Sequence, residues 1–519
     1  MKRIKLLLLI GIIAEILIIA WFYLSKSVEI AGGIGFPLDD SWIHSQLARN
    51  MAEGNGMVYN PGHPVSSTTI LYTLLLSAAF KIAVSPVIDS IVLGLCLHAA
   101  ASYLIYLIAR RLSISNFVAI LAALLFASTP RLIWGAIGGM EVPLYVFLVT
   151  LGIYHHLLYR WDDTPRAYLS TFWFGLSTLA RPECGMFIVL ALIDRGISAL
   201  RNHNLACCLK TVPFNILIAA LPVIPWGIFN WSYSGHLLPP SFYAKVSAFP
   251  DLATRASVFW NYIDQAARVV INDNAMLAIS AVIGMIICIR RAFSSKADGE
   301  LLLPLAYFGI PTAVGQFSAI LKTGVQLIGQ IGRYSGYLVP LFILMGAVGL
   351  DEVFKLLLRC SRFLRLAVIT AVIVLGFGLS VSNNYALATI YGRQVQNING
   401  MQVNIGKWAA KLPPGTQIAC NDAGAIAYFS RQPVIDTVGV INPEVIPYVR
   451  ECSERDEDIQ PGLWKYLSER KPEYLIIFPS WYPAISQRPE LQFVRSYFLK
   501  NNISCGDKVM VVYKMNWKK

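Results

Sequence analysis

The sequence predicts a polytopic α-helical membrane protein carrying a C-terminal extracytoplasmic α/β domain. Three observations carry this reading. Hydrophobic residues make up 56% of the 519-residue chain and charged residues only 14%, against about 25% charged in soluble proteins. About eleven apolar runs approach the length of roughly 20 residues that a bilayer-crossing helix needs. The hydropathy then changes sharply after about Asn383, and the rest of the chain reads as an ordinary soluble domain.

The first run, Ile4 to Leu24, is longer than the 7–15 apolar residues of a secretory signal. It reads as an uncleaved anchor with Lys2, Arg3 and Lys5 on the cytoplasmic side. Further spans centre near 88–109, 114–130, 139–159, 167–181, 183–199, 211–231, 273–290, 301–320, 334–352 and 365–383. The stretch Thr68 to Val84 is read as an interfacial helix, because its Ser-Ser-Thr-Thr start and Lys81 suit a membrane surface. With that choice the basic clusters 110–111, 160–166, 195–210, 290–296 and 355–365 all fall inside, as cytoplasmic loops require. The expected organisation is a membrane module over 1–384, including a first outer loop at 25–87, and a soluble domain over 385–519. The protein is expected in the plasma (inner) membrane, N-terminus cytoplasmic and C-terminal domain outside. In the soluble part, Gly406 to Lys411 reads as helix. Gln417–Cys420, Pro433–Thr437, Tyr474–Phe478 and Lys508–Tyr513 read as short strands.

The net charge of +13 does not indicate a nucleic-acid partner. The basic residues sit at the ends of apolar runs, not in a stripe interleaved with aromatics. The nine cysteines form no C-x-x-C pair, so zinc spacing is absent; a Cys452–Cys505 bridge stays open. No P-loop or G-x-G-x-x-G stands after a strand, so no nucleotide cofactor is expected.

The most informative segment follows the first span. Ile43, Leu47 and Met51 recur at helical spacing, with Asp39 and Asp40 at the N-terminal end of that helix, on the outer face in this layout. Adjacent carboxylates there are able to bind a divalent ion or act as a general base. The plainer alternative is a helix N-cap, for which one carboxylate suffices. Other ionisable groups gather at outer-facing span ends: Arg131, Glu141, the Arg181-Pro-Glu183 run, His236, Lys245 and Arg333. Such groups near a bilayer are costly and usually face a cavity or a partner. His63, in Tyr59-Asn-Pro-Gly-His63, falls on a turn.

The run Asp39-Asp-Ser-Trp-Ile-His44, followed by Ala48 to Gly54 and Val58 to Gly62, resembles the first outer loop of GT-C membrane glycosyltransferases. It looks most like the cell-wall arabinofuranosyltransferases that use decaprenyl-phosphate arabinose. Gly139-Met-Glu141, Arg181-Pro-Glu183, Leu238 to Lys245 and Gly332-Arg-Tyr334 are similar to that family's later stations, and Asn421 to Phe429 to its C-terminal outer domain. Ser66 to Thr69 and Cys184 depart from the family's usual residues. The resemblance implies a GT-C fold and transfer of a sugar from a polyprenyl-phosphate donor to an extracytoplasmic glycan, lipid or protein acceptor. Carried over, Asp39 and Asp40 are the catalytic acidic pair. Arg181, Lys245, Arg333 and His236 hold the donor phosphate. Glu141, His44 and Glu183 are secondary acidic or acceptor groups. Asp39 and Glu141 are candidate ligands for a divalent cation (Mg, Mn or Ca). Direct attack on the donor implies inversion. Membrane lipids are the remaining partners. The alternative from another class is a transporter or flippase of lipid-linked glycans, for which paired halves and broken helices are the usual signature.

Overall fold

The computed structural model describes residues 2–60, 62–82, 85–159, 164–201, 205–239, 252–293, 300–321, 329–449 and 458–517. Apolar runs without internal turn residues become helices, because a helix satisfies every backbone group within its own segment. Among the described residues, five are long and apolar enough to cross a membrane: Arg3–Ala31, Pro86–Arg111, Val142–Tyr159, Ala275–Ala292 and Arg362–Ala409. Two bent pairs, Asn116–Ala127 with Pro130–Ile137 and Leu209–Ala220 with Ile224–Ser234, bring the count to seven. The four other expected spans are also helices, but of different character. Leu169–Thr178 and Met186–Arg201 have 10 and 16 residues. Leu302–Leu321 carries an internal Pro311, and Leu338–Leu357 is buried along most of its length and ends in Asp351, Glu352 and Lys355. The chain is a multi-pass membrane protein.

The first helix, α1 (Lys2–Ala31), leads into α2 (Asp40–Ala52). A small antiparallel hairpin of β1 (Val58–Asn60) and β2 (His63–Pro64) follows, and then α3 (Ile70–Phe80). At 11 residues, α3 is roughly 16 Å long at 1.5 Å per residue, about half a hydrocarbon core. It does not span. The first bent pair breaks by 50° at Ser128-Thr129-Pro130, where proline removes a backbone donor. The freed Ser128 carbonyl accepts from Ser380 Oγ at 3.1 Å and Asn384 Nδ2 at 2.8 Å, so the break is satisfied from the helix that packs against it.

The last membrane helix does not stop near 384. Arg362–Ile398 continues through a π turn at Asn399–Val403 into Asn404–Ala409, so the expected boundary lies inside one continuous helix that carries the soluble domain. That domain is a five-stranded sheet of order β4–β3–β5–β7–β6. Its strands are β3 (Ile418–Cys420), β4 (Val434–Asp436), β5 (Tyr474–Ile477), β6 (Leu491–Phe498) and β7 (Val509–Met515). β4, β3 and β5 are parallel, and β7 and β6 run antiparallel. Side chains alternate faces along a strand. Ile418, Cys420 and Ile476 accordingly join Met401 and Ile405 on one side, and Ala419, Leu475 and Ile477 join Leu463 and Leu467 on the other. Four strands match the sequence reading. β6 does not appear there, since it is an edge strand exposed along most of its length.

Candidate active site

The loop that follows the first helix is the strap on which the C-terminal domain sits. Asn60 bonds both backbone groups of Val434, at 2.7 Å and 2.9 Å, extending the sheet edge. Tyr59 donates to the Ala423 carbonyl at 2.7 Å. Trp42 packs against Phe36, Tyr428 and Phe429 with ring centroids 4.7–4.9 Å apart. The neighbouring acids of this loop part company. Asp39 makes no cap on its own helix. Its carboxylate instead accepts from the amides of Gly424 (2.7 Å) and Ala425 (2.8 Å), at the start of helix Gly424–Ser430 in the soluble domain. Glycine is required there, because a Cβ would lie 2.7 Å from Asp39 Oδ2. Asp40 turns the other way and bonds Arg333 Nη2 at 2.6 Å, its side chain still 41% exposed.

Between loop and domain lies a cavity of about 350 Å³. Its membrane-side wall comes from span ends that the sequence scatters from Met140 to Tyr334. Arg181 opens the short turn Pro182–Gly185, and its guanidinium pairs with Glu141. Arg333 lies in the turn Gly329–Ser335, where Ile331 and Gly332 take positive φ of 61° and 66°; its carbonyl accepts from Tyr145 Oη. The ring of Tyr334 lies 4.3 Å from the Arg181 guanidinium and 4.9 Å from that of Arg333. One aromatic ring thus sits against two cations. Arg181 and Arg333 are 8% and 7% exposed, and the Nε of each has no hydrogen-bond partner. His44 holds Nε2 3.6 Å from Glu141 Oε2.

Burial alone raises the Glu141 carboxyl, but Arg181, then His44 and Arg333, outweigh it and hold it below the usual carboxylate range. Arg181 and Arg333 are opposed by burial and raised by their carboxylate and tyrosine neighbours. On the soluble-domain wall the balance is reversed. Burial and the nearby Asp422 push Asp39 up to about 8 against its two amide bonds. Burial also pushes Asp422 and Asp436 up to about 6. All three values exceed the ~4 of an unfolded aspartate, so the folded state binds more protons. This stabilisation is fully present below about pH 4 and is lost as pH rises to about 6 for Asp422 and Asp436 and about 8 for Asp39. The expected outcome is a thermal midpoint in detergent that falls from about pH 5 to pH 8, with Asp39→Asn flattening the upper part of that window. A midpoint rising across it would contradict the assignment.

Of the residues expected at the site, Asp39, Asp40, His44, Glu141, Arg181 and Arg333 line this cavity. Glu183 is reached by Arg181 Nη1 at 3.8 Å but is not in the lining. His236 does not line it either: Gly235 ends its helix in a left-handed cap and leaves His236 on an exposed turn. Lys245 lies outside the described residues, as does Cys452; Cys505 Sγ contacts Gln402 Oε1 at 3.3 Å. The Asp39–Glu141 pair does not fit a shared cation, since amides occupy the first and Arg181 with His44 the second. Among the described residues, no three His, Cys, Asp or Glu side chains gather as a metal centre. Asp422, Asp436 and Trp481, also in the lining, were not singled out as site residues by the sequence, because the spacing that brings them here spans hundreds of residues.

Residues 388–513 match the family model described as a Domain of unknown function (DUF8728). None of the curated proteins matches the chain. Among solved structures, ArnT from Cupriavidus metallidurans bound to undecaprenyl phosphate is 12% identical, covers 97% of each chain and has a TM-score of 0.63. The same protein in the apo state is 13% identical, again over 97% of each chain, with a TM-score of 0.58. The chain therefore has, end to end, the GT-C membrane fold.

Proposed function

We propose that this chain is an extracytoplasmic glycosyltransferase that takes a sugar from a polyprenyl-phosphate donor. One observation carries the reading: two buried guanidiniums, each with a spare Nε donor, line a cavity that also holds a half-exposed carboxylate. Phosphate departure needs fixed positive charge where negative charge develops, and Arg181 and Arg333 supply it. The acceptor hydroxyl needs a base within reach, and Asp40, its side chain 41% exposed, is an acid beside the two guanidiniums that remains accessible. In the reaction, the acceptor oxygen forms a bond to the anomeric carbon while its proton passes to Asp40. The bond from that carbon to the phosphate oxygen breaks, and the polyprenyl phosphate leaves with the electron pair. Attack opposite the leaving group inverts the anomeric centre. Asp39 is a positioning residue, holding the soluble domain over the site. The ArnT structure bound to undecaprenyl phosphate supports a lipid phosphate of this kind as donor.

Orientation follows from charge. Helices Pro86–Arg111, Ala278–Ala292 and Leu338–Leu357 end in Arg110-Arg111, Arg290-Arg291 and Lys355. Arg291 pairs with Glu352 at 3.1 Å, so two of these basic ends are neighbours. The cavity residue Arg333 precedes the opposite end of the last of these helices. Basic ends belong in the cytoplasm, which supports an outward-facing site in the plasma membrane.

The test is direct. Purified protein in nanodiscs, given radiolabelled polyprenyl-phosphate sugars and envelope extract, is expected to release polyprenyl phosphate with stoichiometric labelling of the extract. Since phosphate charge is assigned to guanidiniums, transfer is expected to survive excess EDTA within about twofold. Donor that moves across a vesicle membrane without cleavage would make the protein a transporter instead.

A further inference from the structure

The cavity has two unlike walls, and the catalytic reading uses only the membrane-side one. We propose that the soluble-domain wall is the acceptor subsite, with Trp481 as a stacking platform and Asp422 as hydroxyl acceptor, and hence that the acceptor is a carbohydrate. This rests on the transferase reading and specifies which substrate class the second side of the site takes.

Trp481 lines the cavity yet is 47% exposed. Leaving a large indole open to water in the lining of a cavity forgoes burial worth more than that of most side chains. Nothing in the packing forces it to move freely. Its amide donates to the Phe478 carbonyl at 3.0 Å, its ring sits 5.1 Å from that of Phe478, and Gly506 leaves room for the indole, since a Cβ there would come 2.8 Å from Cη2. The indole is thus a fixed plane. Beside it in the lining, Val438 is 40% exposed, extending the apolar rim.

Asp422 is fixed as well. Gln402 Nε2 donates to Oδ2 at 2.7 Å and Asn421 Nδ2 to Oδ1 at 3.2 Å. Each carboxylate oxygen keeps a further lone pair for an incoming hydroxyl. Gln402 lies in the π turn that joins the membrane helix to the soluble domain, so this carboxylate is set by the same element that sets the domain. Across the cavity, Ser67 and Thr69 share a 2.9 Å hydrogen bond and line the same space.

A ligand that fits must present an apolar face to an indole and hydroxyls to a carboxylate. A pyranose or furanose ring does both: its axial C–H groups form the face and its hydroxyls the edge. A phosphate headgroup fits poorly, because Asp422 and Asp436 stand on this wall and like charges repel. A serine or threonine acceptor has no ring to cover the indole. A site built to bond hydroxyls also rejects analogues that lack them, since its polar groups would be left unpaired.

The experiment uses the full chain in nanodiscs and a panel of methyl glycosides of common hexoses and pentoses, followed by saturation-transfer NMR. At least one glycoside is expected to show saturation of its ring protons in the wild type and in Asp40→Asn. Trp481→Ala is expected to weaken that binding tenfold or more, Trp481→Phe to retain most of it, and Asp422→Asn to weaken it. The thermal midpoint of each variant shows whether it is folded, and Trp481→Phe keeps the comparison meaningful if the alanine variant is not. No glycoside binding in the wild type, or equal binding by a folded Trp481→Ala, would each overturn the acceptor assignment. These outcomes leave the catalytic reading standing, which fails separately if Asp40→Asn transfers sugar at the wild-type rate.

Discussion

Asp40→Asn is expected to lower the rate of sugar transfer by about 10²–10⁴-fold, the range over which a positioned general base contributes, while leaving the protein folded. The structure allows these effects to be separated. Asparagine keeps an acceptor for Arg333 Nη2, now 2.6 Å from Asp40 Oδ2, so the local hydrogen bond survives the change. The side chain is 41% exposed and that of its partner Arg333 6%, so the change removes charge from a half-open pair without leaving the guanidinium unbonded. What asparagine lacks is basicity. The loss should therefore fall on kcat, with donor affinity little changed, because the phosphate contacts are proposed for Arg181 and Arg333. Asp39→Asn is the informative contrast. It keeps an acceptor for one of the Gly424 and Ala425 amides and places an amide NH2 where the second oxygen now accepts. Its activity loss should track the loss of thermal stability. Single-turnover transfer and the thermal midpoint, measured on both variants, decide the matter. Full activity in Asp40→Asn would remove the base from the mechanism.

That contrast shows what the sequence could and could not reveal. Helical spacing in Ile43, Leu47 and Met51 and two adjacent acids were enough to pick out a loop that lines the cavity. Charge placement was enough to gather Glu141, Arg181 and Arg333 on one membrane face, and the structure puts all three in one cavity. That Asp39 and Asp40 take different partners was not legible. Asp39 meets its partners 385 and 386 residues away, and no local pattern encodes that distance. The cap reading was half right in its physics: Asp39 stands at the N-terminus of its own helix, but its side chain accepts from amides at the start of the soluble domain's helix instead. His236 illustrates the opposite limit, since position at a span end does not fix which way a loop turns. Trp481 looks, in sequence, like any exposed aromatic. Its meaning appears only when Asp422 stands near it, and the short strands β3 and β5 that deliver both are read from period-2 alternation without any hint of their order.

The second large effect is expected from Arg181, and it has two sources that a single substitution confounds. In the folded chain its guanidinium pairs with Glu141, which is 1% exposed. Arg181→Ala leaves that carboxylate buried with His44 Nε2, 3.6 Å away, as its nearest remaining ion-pair partner. Removing one member of a buried pair typically costs about 3–5 kcal/mol. The same substitution removes a donor from the developing phosphate charge, worth about 10²–10³-fold in rate. Arg181→Ala is therefore expected both to unfold more readily and to lose transfer. The double variant Arg181→Met with Glu141→Gln separates the two. It deletes the pair while keeping its volume, and such replacements of buried ion pairs are often neutral for stability. Its thermal midpoint should recover towards the wild type while transfer stays about 10²–10³-fold down. Arg181→Lys should fall between, since an ammonium keeps the charge but lacks the planar fork that now meets Glu141, reaches towards Glu183 and lies over Tyr334. Arg333 offers the internal check: its carboxylate partner Asp40 is exposed where Glu141 is buried, so Arg333→Met alone should lose transfer at a far smaller cost in stability. A double variant that regained transfer together with its fold would mean that Arg181 serves only to neutralise Glu141, and the phosphate would then have to be held by Arg333 without it.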